Sequence, residues 1–187
     1  MNEDTVITTS GKSPKSLLNA VGKSFFTFIL PVTLVLVVIG FQTQLHECAS
    51  PSLHGIRYIL FKKRPPLRRG DIVSIQEYDT KYVQGKILTK RVIGLPGDII
   101  VRDKEGIRIL TFQTSPKHSQ PKTLYTTPLP LLKKTTDGKP LTPISATIIP
   151  SGHIFVAGDN LYSFDSRYEE FGLVPMEKIW GKAVLTM

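Results

Sequence analysis

One cysteine, Cys48, among 187 residues excludes an intramolecular disulfide. Four scattered histidines and that cysteine show no zinc-ligand spacing, so no structural metal is expected. No G-x-S-x-G, Walker or G-x-G-x-x-G element is present, which removes the common nucleophile elbow and both phosphate cradles. Acidic side chains are in the minority: 15 against 24 Lys and Arg give a net charge of +9. The densest basic group is Lys62, Lys63, Arg64, Arg68 and Arg69. It carries no interleaved aromatics and is broken by Pro65 and Pro66, so it reads as a solvated or lipid-facing loop, and no nucleic-acid partner is expected.

Charge is wholly missing from Phe25 to Phe41. At ~1.5 Å per residue this run reaches ~26 Å, close to the ~30 Å of a bilayer's hydrocarbon core, and extension to Leu45 completes a span. Pro31 is tolerable inside a membrane helix and is expected to bend it. A buried core helix is the plain alternative, but the run has no polar face. Lys12, Lys15 and Lys23 precede it, whereas residues 43–57 hold Arg57 as their one Lys or Arg. The positive-inside rule then puts the N-terminus in the cytoplasm and the remainder outside. No small-x-small site follows the run directly, and His46 and Glu47 spoil a lipoprotein site before Cys48, so an uncleaved anchor is expected. The expected division is a cytoplasmic tail over 1–23, an anchor over 24–42 and an extracytoplasmic domain over 43–187.

Beyond residue 42 no helical repeat of eleven or more residues occurs. Short apolar patches at 56–61, 71–75, 86–95, 98–102, 107–112, 153–159 and 178–186 read instead as strands, punctuated by turns such as Gly70-Asp71 and Pro96-Gly97. The fold class expected is mainly β, an antiparallel domain that two packed sheets would satisfy. The Pro-, Thr-, Lys- and Ser-rich stretch 113–150 reads as an irregular surface excursion.

Three polar segments remain: ASPSLHG (49–55), KRVIGLPGD (90–98) and GDNLYSFDSRY (158–168). Ser50 and Ser52 are both candidate nucleophiles. A hydroxyl needs a base, and a lysine serves when burial holds it neutral. Lys90 is flanked by Ile87, Leu88, Val92 and Ile93, and strand alternation puts Leu88, Lys90 and Val92 on one face, although read locally an exposed strand lysine is the plainer alternative. His54 offers a Ser–His alternative, but it lies two residues from Ser52, and no acid is marked as its partner. Asp165 and Arg167, two apart, would share one face of an extended strand and pair there. Asp159 and Asn160 read as turn-formers. Ser119-Gln120-Pro121-Lys122 matches an S-x-x-K pattern, but it lacks the helix start that this chemistry needs.

The anchor, the serine segment, RGDIV (69–73), KRVIGLPGD and GDN…SFDSR follow one another as in the type I signal peptidases, which the chain resembles over roughly 24–181 apart from 113–150. The phrase SFDSRY and the short chain look most like the conjugative-transfer, TraF-type branch that processes pilin precursors. His54 stands where that family usually has proline, and the GDN-to-serine spacing is one residue short. The resemblance implies a signal-peptidase-like β domain behind one transmembrane helix and a Ser–Lys dyad of Ser52 and Lys90. It implies Ser50 and the Ser52 backbone N–H as oxyanion donors, Ser163 as the hydrogen-bond partner of the lysine, and Asp165 and Arg167 as a supporting ion pair. It further implies a serine endopeptidase of the bacterial inner membrane, without cofactor, whose partners are the bilayer and an exported preprotein or pilin precursor. Pilin maturation is the expected task. The alternatives are a general signal peptidase, or an inactive membrane-tethered periplasmic assembly protein.

Overall fold

The computed structural model describes residues 22–47, 53–63, 66–113 and 122–187, with Lys15 and Asn19. Ser50, Ser52, Cys48 and Ser119 lie outside the described residues.

Two compact units divide at Gln42. The first contains helix α1 (Gly22–Gln42), 21 residues with a mean hydropathy of 2.5, long and apolar enough to cross a membrane. Its Phe25–Ile29 turn is π-helical. That widening sits just ahead of Pro31, whose ring would otherwise clash with the carbonyl four residues back. The Thr33 hydroxyl donates to the Ile29 carbonyl at 2.6 Å, keeping that polar group satisfied within the helix. The extension of the span to Leu45 does not hold. The helix ends at Gln42, and Thr43–Glu47 is strand β1, because its backbone pairs antiparallel with β2 (Tyr58–Lys63).

The second unit is mainly antiparallel β. After β1 and β2 come β3 (Ile72–Ile75), β4 (Leu88–Gly94), β5 (Ile99–Arg102), β6 (Ile107–Gln113), β7 (Lys122–Tyr125), β8 (His153–Ala157), β9 (Val174–Pro175) and β10 (Ile179–Thr186). Seven form one sheet in the order β1-β2-β10-β3-β4-β8-β9, and β5-β6-β7 form a second. Each of the seven apolar patches in the sequence is a strand. Within 113–150, β7 pairs with β6, and the chain beyond it is held by single bridges such as Ile107–Leu129 and Pro143–Tyr168.

Alternation explains how one sheet serves several cores. On β8, Ile154 and Val156 join Val73, Ile75, Val92 and Phe171 in one cluster. Phe155 and Ala157 point the other way and pack with Ile100, Ile107 and Ile109 of the small sheet, which joins the two sheets. A third cluster collects Leu53, Ile59, Phe61 and Ile72. Each such side chain contributes about 1.5–3 kcal/mol by leaving water. Gly94 is needed where β4 meets the second cluster: a Cβ there would lie 2.4 Å from Ile149 Cδ1. Gly97, at φ 88°, makes the turn that follows and delivers Asp98 to its partners.

Candidate active site

Lys90 sits on β4 opposite Val73 of β3, on the face that also carries Val92 and Leu88. It is 5% exposed. Its Nζ donates to Ser163 Oγ at 2.7 Å. Burial pushes the amine down from 10.5 to about 8; the nearby Asp165 carboxylate opposes that fall and the Arg167 guanidinium adds to it. Roughly a tenth of such an amine is neutral at pH 7, enough to accept a proton from a hydroxyl.

Ser163 is brought there by a turn. Its N–H donates to the Asn160 carbonyl at 3.1 Å, and the Asn160 side chain accepts from Tyr162 N–H at 2.9 Å. Asp165 and Arg167 form the paired contact expected of them, but on turns rather than on an extended strand. The Tyr168 N–H closes back on the Asp165 carbonyl at 3.1 Å, and this turn brings the two side chains together. Arg167 Nε and Nη2 donate to Asp165 Oδ1 and Oδ2 at 2.8 and 2.9 Å. Arg167 also donates to the carbonyls of Ser163 and Pro130, each at 2.8 Å, while Gly158 N–H completes Asp165 at 2.9 Å. Both side chains are almost fully buried, at 2% and 0% exposed. The pair therefore fastens the loop that presents Ser163.

Two further ion pairs join the motif segments, and the sequence reading did not foresee either. Arg91, next to Lys90, donates to both carboxylate oxygens of Asp159 at 2.7 Å and to the Gly70 carbonyl at 3.1 Å. These bonds hold Asp159 below the usual carboxylate range, and the His54 backbone N–H is a further donor to it. His54 is exposed, and besides its backbone donor its side chain also acts on Asp159 through charge, in the same downward direction. Arg69 is not merely solvated. It reaches the buried Asp98, whose carboxylate also accepts from Leu95 N–H at 2.8 Å and Thr111 Oγ1 at 3.0 Å. The available signal was opposite charge in separate motifs, which pairs only once the chain is folded. Leu53, the neighbour of Ser52, is buried against Ile59, Phe61 and Ile72, so the serine segment is anchored from its C-terminal side.

A cleft of about 370 Å³ opens beside Lys90 and Ser163, lined mainly by apolar groups including Val83, Leu88, Phe164 and Phe171. Among the described residues no group of three or more His, Cys, Asp or Glu could hold a metal ion. The geometry can keep an amine dry and aim it with one hydroxyl, beside an open cleft. Ser163→Ala is expected to lower turnover about ten- to a hundredfold, since it removes the orienting acceptor and leaves the amine in place. Steady-state kcat and KM measured on a precursor check this; KM should change little.

Residues 18–187 match the family model described as signal peptidase, peptidase S26. The chain is 29% identical over 211 residues to signal peptidase I of Pseudomonas aeruginosa, covering 89% of this chain and 71% of that protein. It is 33% identical over 118 residues to the mitochondrial ATP-independent inner membrane protease subunit 1a of Arabidopsis thaliana, covering 62% of this chain and 48% of the plant protein, about half its length. A crystal structure of a signal peptidase I from Enterococcus faecalis V583 matches at 26% identity and a TM-score of 0.39, over 65% of this chain and 98% of that one.

Proposed function

This chain belongs to the signal peptidase family, peptidase S26, and from that membership we propose that it is a membrane-anchored serine endopeptidase whose nucleophile is Ser52 and whose general base is Lys90. One observation carries the reading. The Lys90 amine is 5% exposed, lies 2.7 Å from Ser163 Oγ and has its pKa lowered to about 8. A buried amine destabilises a fold unless it is paired or has a task, and proton abstraction from a serine hydroxyl is such a task.

In the proposed cycle neutral Lys90 takes the Ser52 proton as the oxygen attacks the scissile carbonyl. Ser50 and the Ser52 backbone N–H receive the oxyanion. The ammonium then returns its proton to the leaving amine, and a water deprotonated by the same lysine releases the acyl-enzyme. The substrate lies extended along the cleft beside Lys90 and Ser163. Helix α1 confines enzyme and precursor to one bilayer, which raises their effective concentration. Lys12 and Lys15 before α1 and Lys23 in its first turn support a cytoplasmic N-terminus and an extracytoplasmic second unit.

The substrate is an exported precursor. The SFDSRY phrase at 163–168 supports a conjugative pilin, and 29% identity with a signal peptidase I over 89% of the chain supports general preproteins. The test incubates the detergent-solubilised full chain with one precursor of each kind and reads the products by mass. Cleavage of either is expected, with loss on Ser52→Ala and retention on His54→Ala. A Ser52→Ala protein that still cuts, or a His54→Ala protein that does not, overturns the dyad. A pilin product lighter by one water than the hydrolysed peptide would identify end-joining.

A further inference from the structure

The stretch that reads from sequence as an irregular excursion is a strap over residues 129–145, fixed at both ends. Leu129 N–H donates to the Ile107 carbonyl at 2.8 Å and Ile107 N–H returns a bond at 2.9 Å, which ties one end to the small sheet. Just past the other end, Ile149 N–H donates to the Asp98 carbonyl at 2.9 Å. The hairpin from Lys133 to Leu141 lies between them. Leu141 N–H donates to the Lys133 carbonyl at 3.0 Å, and Thr135 N–H donates to the Lys139 carbonyl at 2.9 Å. The Tyr82 hydroxyl donates to the Pro140 carbonyl at 2.7 Å, and Thr136 lines the cleft beside Lys90.

Between its ends the strap is sewn to the loop that presents Ser163. Besides the bond from Arg167 to the Pro130 carbonyl, Leu132 N–H donates to the Tyr168 hydroxyl oxygen at 3.0 Å. Ile144 N–H donates to the Arg167 carbonyl at 2.9 Å, and Glu169 N–H donates to the Thr142 carbonyl at 2.8 Å. The Thr142 N–H and hydroxyl each donate to one oxygen of the Glu170 carboxylate, both at 3.0 Å. Glu170 is 9% exposed. A carboxylate that deep is costly without donors, and the strap supplies one to each oxygen.

We infer that the strap is a positioning device for the general base: Thr142, clasping Glu170, holds the 163–170 loop where Ser163 meets Lys90. The inference rests on the peptidase reading above. Two observations carry it. The stretch from 165 to 172 is one stiff piece, because the Phe171 and Gly172 N–H groups both bond the Tyr168 carbonyl, at 3.1 and 2.9 Å, and Tyr168 closes on Asp165. A shift of Glu170 is therefore passed to Arg167, which holds the Ser163 carbonyl at 2.8 Å. Lys90, in turn, takes its hydroxyl partner from this loop, and Asp165 and Arg167, the charged groups that act on it, stand there too. Loosening the loop admits water to the amine and raises its proton affinity toward the ordinary value. Neither Thr142 nor Glu170 lines the cleft, so both are positioning residues.

The test follows precursor cleavage by the detergent-solubilised full chain against pH for wild type, Glu170→Ala, Glu170→Gln and Thr142→Val, with the melting temperature of each. Glu170→Ala is expected to lower kcat/KM roughly tenfold at pH 8, through kcat and with KM little changed. The midpoint of its rise with pH should move up from about 8 to roughly 9, so that part of the loss returns in alkali. Thr142→Val keeps the backbone donor and loses the hydroxyl, so it should shift the midpoint the same way by a smaller step. Glu170→Gln still accepts from Thr142 and should recover most of the loss. The Thr142 side chain is exposed, so Thr142→Val decides the matter if Glu170→Ala does not fold. A folded Glu170→Ala or Thr142→Val protein that melts earlier but keeps the wild-type midpoint overturns the inference and leaves the peptidase reading intact. So does a folded Glu170→Gln protein as impaired as Glu170→Ala. Wild-type protein that cleaves no precursor removes both.

Discussion

Replacing Lys90 with methionine is expected to lower kcat/KM on a precursor by roughly 10²–10⁴-fold and to flatten the rise of thermal stability between about pH 8 and 10.5. The two effects share a cause. Burial lowers the amine from 10.5 in the unfolded chain to about 8 in the folded one. Between those values the unfolded state binds more protons, so stability rises with pH across that window. Below about pH 8 the full cost is present, on the order of 3 kcal/mol; above about 10.5 it is gone. Methionine has no proton to lose, so this pH-dependent part of the stability should be absent from the variant, which also forfeits the hydrogen bond to Ser163. Lys90→Arg should be equally inactive, since a guanidinium stays protonated. Precursor cleavage and thermal unfolding of wild type and both variants, each followed against pH, check the pair of effects. Wild-type activity should rise with pH through about 8 as the amine loses its proton. A methionine variant that cleaves normally, or whose stability rises from about pH 8 to 10.5 as steeply as that of wild type, contradicts the account.

Arg167→Met is expected to be the most destabilising single change at the site, by about 3–5 kcal/mol, or about 6–20 °C in Tm for a protein of this size. The substitution leaves the Asp165 carboxylate in a position 0% exposed. It also strips donors from the carbonyls of Ser163 and Pro130. Activity should fall further than stability alone requires, because the loop that holds Ser163 against Lys90 loses its fastening. The double change Asp165→Leu with Arg167→Met should recover part of the Tm, since an apolar pair carries no uncompensated charge. Recovery stays partial because Gly158 N–H then lacks its acceptor. Differential scanning calorimetry of the single and double variants measures the coupling. The Arg91–Asp159 pair, at 30% and 23% exposed, should matter far less to stability, about 1 kcal/mol or below.

The contrast between these two ion pairs shows why the site was legible only in part. In the sequence Asp165 and Arg167 are two residues apart, close enough to be paired by spacing. The extended strand assumed for them was nonetheless wrong: the backbone turns there, since Ser163, Tyr168 and Phe171 all bond to carbonyls a few residues back. Arg91 and Asp159 are 68 residues apart, and no local pattern joins them. Thr136 is the extreme case. It carries no sequence signal beyond sitting in a Pro- and Thr-rich stretch. It reaches the cleft because the hairpin's own hydrogen bonds and the Tyr82 hydroxyl hold it there.

By itself the amino-acid sequence determined the class of the fold. The uncharged run allows a membrane helix, and the short alternating patches can bury their apolar faces only as strands, because side-chain periodicity is a local property of the chain. It also marked Lys90 as a base candidate, through three motif segments in order rather than through its apolar neighbours, which suit an exposed strand lysine as well. Tertiary structure alone decided where that strand lies, that a serine from 73 residues away meets the amine, and that a charged pair fastens the meeting. It also ended α1 at Gln42, where backbone pairing with β2 outweighs three more uncharged residues. Burial and long-range hydrogen bonds depend on which segments become neighbours. No window of the sequence contains that information, and the lowered pKa of Lys90 is its direct consequence.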